Sequence, residues 1–346
     1  MSFKTVGAKA FIFWFSGIVF FSILLILPNS VKAQDPVFSQ FYASPLQLNP
    51  ALTGSADAPV FHLNYRNQWP SIANAYNTYA LSYNQLFPKL NSGFGINLMG
   101  DIAGAGIYSA TQVGISYAYQ LQFFRGDMYV RLGLEGNLIS KKLNWDKLIF
   151  LDQLDADTGP YDANGVLNPS SEQRNFQNIN YFDLGLGALL YTPYFYAGFA
   201  LKHITSPKES FLRQTNNPLE LPMRIVAHAG GQIPIGKRNI FKTKSFLNPA
   251  VLFTKQREFM QLVGGMNFQI SFITLGAWYR HAFTNPDAVI MNLGTEFKFV
   301  KLMYSYDLTV SQLGINSGGA HEISLIFNFE NKNKGTDYNN CLKIFF

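Results

Sequence analysis

Few residues in this 346-residue chain could do chemistry, and their spacing does not suit a catalyst. Asp146, Asp152, Asp155, Asp157 and Asp162 crowd one polar stretch. Their carboxylates could offer oxygens to Ca²⁺, which takes about six to eight. Their spacing matches no EF-hand loop, and solvated loop acids are the alternative. The five histidines, at 62, 203, 228, 281 and 321, show no paired ligand spacing, so a place in an interior or an interface suits them better than a metal. Cys341 is alone, which removes both a disulfide and a thiolate cluster. Gly185-Leu186-Gly187 lacks the third glycine of a dinucleotide loop and falls in a strand-like run. Glycines there leave room for curvature or for something close to the backbone. No HExxH, GxSxG, Walker loop or CxxC occurs. The expectation is a protein that is not an enzyme and holds no cofactor or metal.

The elements that would carry these residues repeat with period two. From Val60, the side chains of Phe61, Leu63, Tyr65 and Trp69 share one face, and His62, Asn64, Arg66 and Gln68 share the other. From Ile107 to Phe123, Val113, Ile115, Tyr117, Tyr119 and Leu121 oppose Gln112, Gly114, Ser116, Ala118 and Gln120. No helical stripe fits either stretch. Composition says which solvents the two faces meet. Charged residues are 14% and aromatics 16% of the chain, against roughly 25% charged in an ordinary soluble domain. A soluble β-sandwich is the alternative, but its outer faces would need charge that this chain lacks. A helical membrane bundle would need several apolar spans, and only one long apolar run is present. The pattern therefore predicts an all-β transmembrane antiparallel barrel. Fourteen strands are expected, near 60–69, 76–87, 92–102, 107–123, 127–141, 179–191, 194–204, 223–233, 245–254, 258–269, 271–283, 288–298, 300–310 and 319–329. An even count suits a closed single-chain barrel with both ends on the periplasmic side.

The apolar run is a targeting signal. Lys4 and Lys9 precede Ala10 to Leu27, Pro28 breaks it, and Val31-Lys32-Ala33 offers a cleavage site; an uncleaved anchor is the alternative. Cleavage after Ala33 leaves 346 − 33 = 313 residues and removes Lys4, Lys9 and Lys32, so the charge falls from 27 − 21 = +6 to 24 − 21 = +3. That leaves no charge argument for nucleic acid. The expected organisation is a signal peptide at 1–33, a leader or plug at 34–58, the barrel at 59–329 and a periplasmic tail at 330–346. An outer-membrane hydrolase is the enzyme alternative, with nothing in the sequence pointing to it.

Three segments stand outside the strands. The polar stretch 142–178, with Asp152, Asp155 and Asp157, and the insertion 205–222, with Pro207, Pro218 and Pro222, fall by strand parity on the outer side. Phe124-Arg125-Gly126 reads as a short periplasmic turn. Long outer loops are where such barrels meet partners. Asp35 to Gly54 carries three prolines and several aromatic or large apolar anchors. It cannot be one regular strand and is too apolar for a free tail. It is expected to pack in the lumen or on the periplasmic side; a short unpaired leader is the alternative.

These residues carry a resemblance. Asp35-Pro36, Phe38-Ser39-Gln40-Phe41-Tyr42, then Asn49-Pro50-Ala51 and Gly54, resemble the opening of the PorP/SprF family of type IX secretion-associated membrane proteins. The likeness continues through Tyr65-Arg66-Asn67-Gln68-Trp69, Gly93-Phe94-Gly95, Asp101, Gly104, Tyr304-Ser305-Tyr306-Asp307 and Ala320-His321-Glu322-Ile323-Ser324-Leu325. The stretch 142–178 carries no matching signature. The resemblance implies an outer-membrane barrel of a Gram-negative bacterium with a type IX secretion and gliding apparatus. It implies a non-enzymatic role in exporting or anchoring a cognate surface protein, adhesin-like, through that protein's C-terminal sorting domain. Implied partners are outer-membrane lipids, the secreted protein, and periplasmic ring or lipoprotein components. A transport barrel for solutes or hydrophobic molecules is the alternative, as is a link from the periplasmic ring to the membrane. Candidate partner-binding residues are Asp35, Pro36, Phe38, Ser39, Gln40, Phe41, Tyr42, Asn49, Pro50, Tyr65, Arg66, Gln68 and Trp69, with Asp152, Asp155 and Asp157 in the outer loop.

Overall fold

The computed structural model describes residues 35–72, 76–124, 127–172, 177–211, 220–235, 245–283, 285–311, 314–329 and 341–346. The expected signal segment, Arg125, Gly126, Pro218 and residues 330–340 lie outside the described residues. The chain divides into two units, Met1–Asp35 and Pro36–Phe346. Only Asp35 of the first is described, and it is half-buried.

The second unit is a barrel of fourteen antiparallel strands. In chain order they are β1 (Val60–Gln68), β2 (Tyr76–Phe87), β3 (Ser92–Ala103), β4 (Tyr108–Phe123), β5 (Met128–Leu143), β6 (Asn178–Tyr191) and β7 (Phe195–Lys202). β8 comes in two pieces (Arg224–Gly231 and Ile233–Ile235) that both pair with β9 (Ser245–Gln256). Then come β10 (Phe259–Ile270), β11 (Ile273–Ala282), β12 (Asn285–Phe297), β13 (Val300–Thr309) and β14 (Ala320–Asn328). Each strand pairs with the next, and β1 pairs with β14 from Val60↔Asn328 to Gln68↔Ala320, which closes the ring. Closure is what hydrocarbon demands, since an unpaired amide there has no water to bond.

The period-two pattern sets the two surfaces. Along β1, Phe61 and Leu63 are exposed while Val60, His62, Asn64 and Arg66 are buried. The same alternation exposes Ile96, Ile115, Leu134, Leu138, Leu275, Met291, Leu293 and Leu302 on the outside of other strands. An apolar outside with polar groups turned inward is the lipid-spanning arrangement. Aromatic rings collect at both rims. Near the longer loops, Tyr65 lies 5.0 Å from Tyr79 and Trp69 lies 5.8 Å from Tyr76. At the opposite rim, Phe299 stacks on Phe329 at 5.6 Å and Phe61 meets Tyr83 at 4.7 Å.

Connections differ between the two ends. Two-residue turns join β10 to β11 and β12 to β13 at one end and β9 to β10 at the other. Their first residues, Ser271, Lys298 and Arg257, take φ of 53°, 54° and 52°. A positive φ lets so tight a turn follow the strand twist. The long connections, after β5 and β7, share one end, as parity expects. Short turns mark the periplasmic side of such barrels, so the long-loop end faces outward.

The loop after β5 folds on itself. Gln153 Nε2 donates to Asn168 O at 2.6 Å, and Asn168 Nδ2 donates back to Gln153 O at 2.9 Å. Isolated bridges join Asp155 to Gly159 and Tyr161 to Leu167. The insertion after β7 is moored to the wall, because Glu209 accepts from Lys141 Nζ and from the Tyr181 hydroxyl.

Candidate functional site

Residues from Pro36 onward run through the barrel. Short pieces give the segment shape: turns of 3₁₀ helix at Phe41–Ala43 and Pro50–Leu52, and one α-helical turn at Pro45–Leu48. Proline opens the latter two, where its missing N–H costs nothing. From Ser39 to Leu52 every residue but Gln47 is buried. A segment without ladder bonds must satisfy its backbone some other way. Here the inner wall does it.

At the outer end the wall offers an ion network. Arg66 of β1, Arg280 of β11, Asp307 of β13 and Glu322 of β14 each stand third from the loop end of their strand, so they form one level. Glu322 accepts from the backbone N–H of Ser39 at 2.8 Å and of Gln40 at 2.9 Å. The Ser39 hydroxyl donates to Asp307 at 2.6 Å and accepts from Arg66 at 2.6 Å and Arg280 at 2.7 Å. Arg66 pairs with Asp307 and Glu322, each at 3.0 Å, and Arg280 with Asp307 at 2.9 Å and with Asp287. Buried charges persist only when paired in this way.

Below this level the contacts turn aromatic, then polar again. Tyr42 stacks on Trp278 at 5.6 Å, Phe41 meets the same indole edge-on at 5.3 Å, and Asn292 donates to the Tyr42 hydroxyl at 2.7 Å. Asn64 donates to Ala43 O at 3.2 Å. Lys202, paired with Glu135 at 2.9 Å, reaches Leu46 O at 3.5 Å. Asn49 accepts from the Ala51 N–H at 2.9 Å and presents its amide to Ala188 O, Phe199 O and His228 Nε2 at 3.1–3.3 Å. Arg131 donates to Ala51 O at 3.0 Å and to Thr53 O. Asn84 then accepts from the Gly54 N–H at 3.0 Å, and the chain turns into β1.

The wall leaves room where the segment presses hardest. A Cβ on inward-facing Gly133 would lie 2.3 Å from Ala51 N, and one on Gly187 would lie 2.0 Å from Asn49 Oδ1. Only glycine permits such approach, so Gly187 is a seat for the segment.

The chain's other end fills the opposite mouth. The segment 330–346 is expected to remain in the periplasm, but the structure places Cys341–Phe346 inside the turn end of the barrel. The Cys341 N–H donates to Pro193 O at 3.1 Å, and the His62 imidazole donates from Nε2 to Phe345 O at 2.9 Å. Phe345 packs on Tyr196 at 5.2 Å. These apolar residues join Phe41, Tyr42 and Leu52 in one buried cluster. Burial pushes the Cys341 thiol up to about 12, against the opposing pull of its Thr192 contact.

Among the residues singled out from sequence, Ser39, Gln40 and Arg66 meet in the network. Phe41, Tyr42, Asn49 and Pro50 form the filled lumen, Phe38 is buried at its outer end, and Pro36 is half-buried. Gln68 accepts from Arg66 at 3.4 Å. Tyr65 and Trp69 stand on the outer surface in the rim of rings and touch none of the lumen contacts. Asp152, Asp155 and Asp157 lie in the outer loop, apart from the barrel interior. Asp152 accepts from Ser170 and Ser171, and Asp155 from the Asp157 and Thr158 N–H groups. These bonds hold both carboxyls below the usual carboxylate range. Among the described residues no group of three or more His, Cys, Asp or Glu is placed to hold a metal ion. Arg131, Lys202, Glu135, Trp278 and Arg280 were missed by motif. The available signal was charge or bulk on inward strand positions in a charge-poor chain.

Comparison with known proteins places this architecture. The family model described as type IX secretion system membrane protein PorP/SprF matches residues 30–327. Among solved structures, Omp33 of Acinetobacter baumannii is similar at 9% identity and a TM-score of 0.43, over 79% of this chain and 100% of that one. A FadL homologue of Pseudomonas aeruginosa is similar at 11% and 0.43, over 82% and 93%. The CymD monoaromatic hydrocarbon channel is similar at 12% and 0.42, over 87% and 95%. No curated protein matches the chain.

Proposed function

Because the chain belongs to the PorP/SprF family of type IX secretion system membrane proteins, we propose that it assists the export or surface anchoring of a cognate secreted protein, held through that protein's C-terminal sorting domain. It is an outer-membrane β-barrel of a Gram-negative bacterium. The role is one of binding, without chemistry of its own. The observation that carries the reading is the occupied lumen. A solute pore needs water along its axis, whereas here residues 39–54 run through the interior under main-chain and ionic restraint. Filling of that kind suits a barrel that works by contact. We assign the surface partner to the loops at 142–178 and 205–222, and periplasmic ring or lipoprotein components to the turn end, where the tail lies. Asp152 and Asp155 shape the first loop through bonds to Ser170, Ser171, Asp157 and Thr158.

The test is purification from native membranes in mild detergent with mass spectrometry of what co-purifies, and planar-bilayer recording of the same sample. Recovery of a large secreted protein bearing a C-terminal sorting domain, from a barrel that is electrically silent, is expected. Steady conductance with no such companion overturns the proposal in favour of a solute channel.

A further inference from the structure

The ring of strands is closed, but its outer end is uneven. β6 starts at Asn178, yet its pairing with β7 begins at Leu186↔Leu201. On that side the first 186 − 178 = 8 residues of β6 have no neighbouring strand. On the other side β5 pairs with all of them, from Lys142↔Asn178 inward. A strand in an antiparallel sheet turns the N–H and C=O of successive residues alternately to its two sides. Gln177 O accepts from the Leu143 N–H at 2.9 Å, and Leu184 O accepts from the Ile204 N–H beyond β7 at 3.1 Å. Odd positions of β6 therefore serve β5, and even positions face the gap. His203, at φ 59°, takes the chain out of the line of β7, and Thr205 Oγ1 reaches Phe182 O at 3.5 Å. Among the described residues nothing else meets the backbone groups that Asn178, Asn180 and Phe182 turn to the gap, and all three residues are exposed. Unpaired amides have no place in hydrocarbon, so this corner stands clear of the bilayer; the exposed Ser140, Lys142, Asn178 and Asn180 agree. Proteins keep such edges from pairing with prolines, charges or bulges. Asn178-Ile179-Asn180-Tyr181-Phe182 has no proline and no charge.

We propose that the outer edge of β6, from Asn178 to Phe182, receives an extended segment of the surface partner as an added antiparallel strand, in the line that β7 vacates. This rests on the proposed holding of a secreted protein and says how it is held. The edge lies between the two outer loops assigned to that partner. Main-chain bonds supply the affinity in strand addition, and alternate side chains supply the choice. Residues directly opposite share a face, so the segment carries apolar side chains opposite Ile179 and Tyr181 and polar ones opposite Asn178 and Asn180. A lipid has no alternating series of donors and acceptors to offer this edge. A second upright copy in the same membrane runs its β6 the same way, so two such edges cannot form an antiparallel ladder.

The test uses the full-length chain in detergent. Amide exchange comes first: the Asn178, Asn180 and Phe182 N–H groups should exchange at least tenfold faster than those of Ile179, Tyr181 and Asp183, which bond to β5. Equal protection of the two sets means that the edge is already filled, and overturns the proposal. The probe is a short fluorescent peptide of alternating threonine and valine, with a second copy N-methylated at every threonine. Asn180→Pro removes an edge N–H and keeps the ladder to β5, because position 180 faces the gap. Asn180→Ala changes the side chain and keeps that N–H. The peptide should bind the parent and Asn180→Ala saturably and alike. Asn180→Pro should bind it at least tenfold more weakly, and the parent should bind the methylated copy at least tenfold more weakly. No saturable binding, or binding that neither proline nor methylation weakens, overturns the proposal. If Asn180→Pro lacks the heat-dependent gel shift of a folded barrel, the methylated peptide carries the comparison. The two ideas fail separately: peptide binding at this edge without a co-purifying secreted protein removes the functional reading and spares the site. Co-purification that Asn180→Pro leaves unchanged removes the site and spares the reading.

Discussion

Replacing Gly133 by alanine should unseat the inner segment with the smallest change in the wall. The added Cβ would stand 2.3 Å from Ala51 N, 2.4 Å from Pro50 C and 2.6 Å from Ala51 Cα, all backbone atoms that no rotamer change can clear. Ordinary contact begins near 3.4 Å, so the segment must retreat by 3.4 − 2.3 = 1.1 Å at that point. Such a shift takes the bond from Arg131 to Ala51 O, now 3.0 Å, past useful length. A bond to a charged group contributes about 1.5–3 kcal/mol. The loss is therefore roughly 1.5–3 kcal/mol, or about 10- to 160-fold in the equilibrium between seated and unseated segment. Gly100→Ala is the control, because a Cβ there meets nothing within 4 Å. The assay is limited proteolysis of the intact chain in detergent, read at the segment 36–54 by mass spectrometry, with bilayer conductance alongside. Gly133→Ala should raise cleavage by at least tenfold and open conductance, while Gly100→Ala leaves both unchanged. If both variants resist protease as the parent does, the segment is not held against β5 and the reasoning fails.

Three other outcomes follow from the same interior. Glu322→Gln removes one charge from a network in which two guanidiniums face three carboxylates; breaking a buried pair costs about 3–5 kcal/mol. Proteolysis should rise at Ser39 before Ala51, and a rise confined to Ala51 would contradict the level assigned to Glu322. The Cys341 thiol, pushed up to about 12 by burial, should resist a maleimide at pH 8 in the folded barrel and react at once in denaturant, since only the thiolate attacks; fast labelling without denaturant would place the tail elsewhere. Asp152 and Asp155 are held below the usual range by N–H and hydroxyl donors, so their contribution to loop order is present above the unfolded pKa and lost as pH falls through the lower folded one. Carboxyl-carbon NMR should give both a midpoint under the ordinary aspartate value of about 3.9, and a midpoint at or above it refutes those turns.

Much of this molecule was written in local pattern. Alternation from Val60 onward, in a chain with 14% charged residues, determined strand, facing and solvent together, because a strand's side-chain period does not depend on its neighbours. All fourteen strands therefore lie where that period puts them, even across 245–269, where the pattern is least clean. The apolar, proline-bearing run from Asp35 to Gly54 could likewise be seen to need cover. What covers it could not. Ser39, Arg66, Asp307 and Glu322 are up to 283 positions apart and meet only because β14 closes on β1 in a particular register. A slip of one residue between β1 and β14 would turn Arg66 or Glu322 toward lipid and part the pair. Parity puts both chain ends beside the periplasmic turns, yet the inner segment starts at the outer level and the tail climbs into the lumen. Neither path has a period to read. The inner segment's path is set by the space that Gly133 and Gly187 leave, and both paths by buried donors and acceptors on the wall that find partners only once the ring has closed.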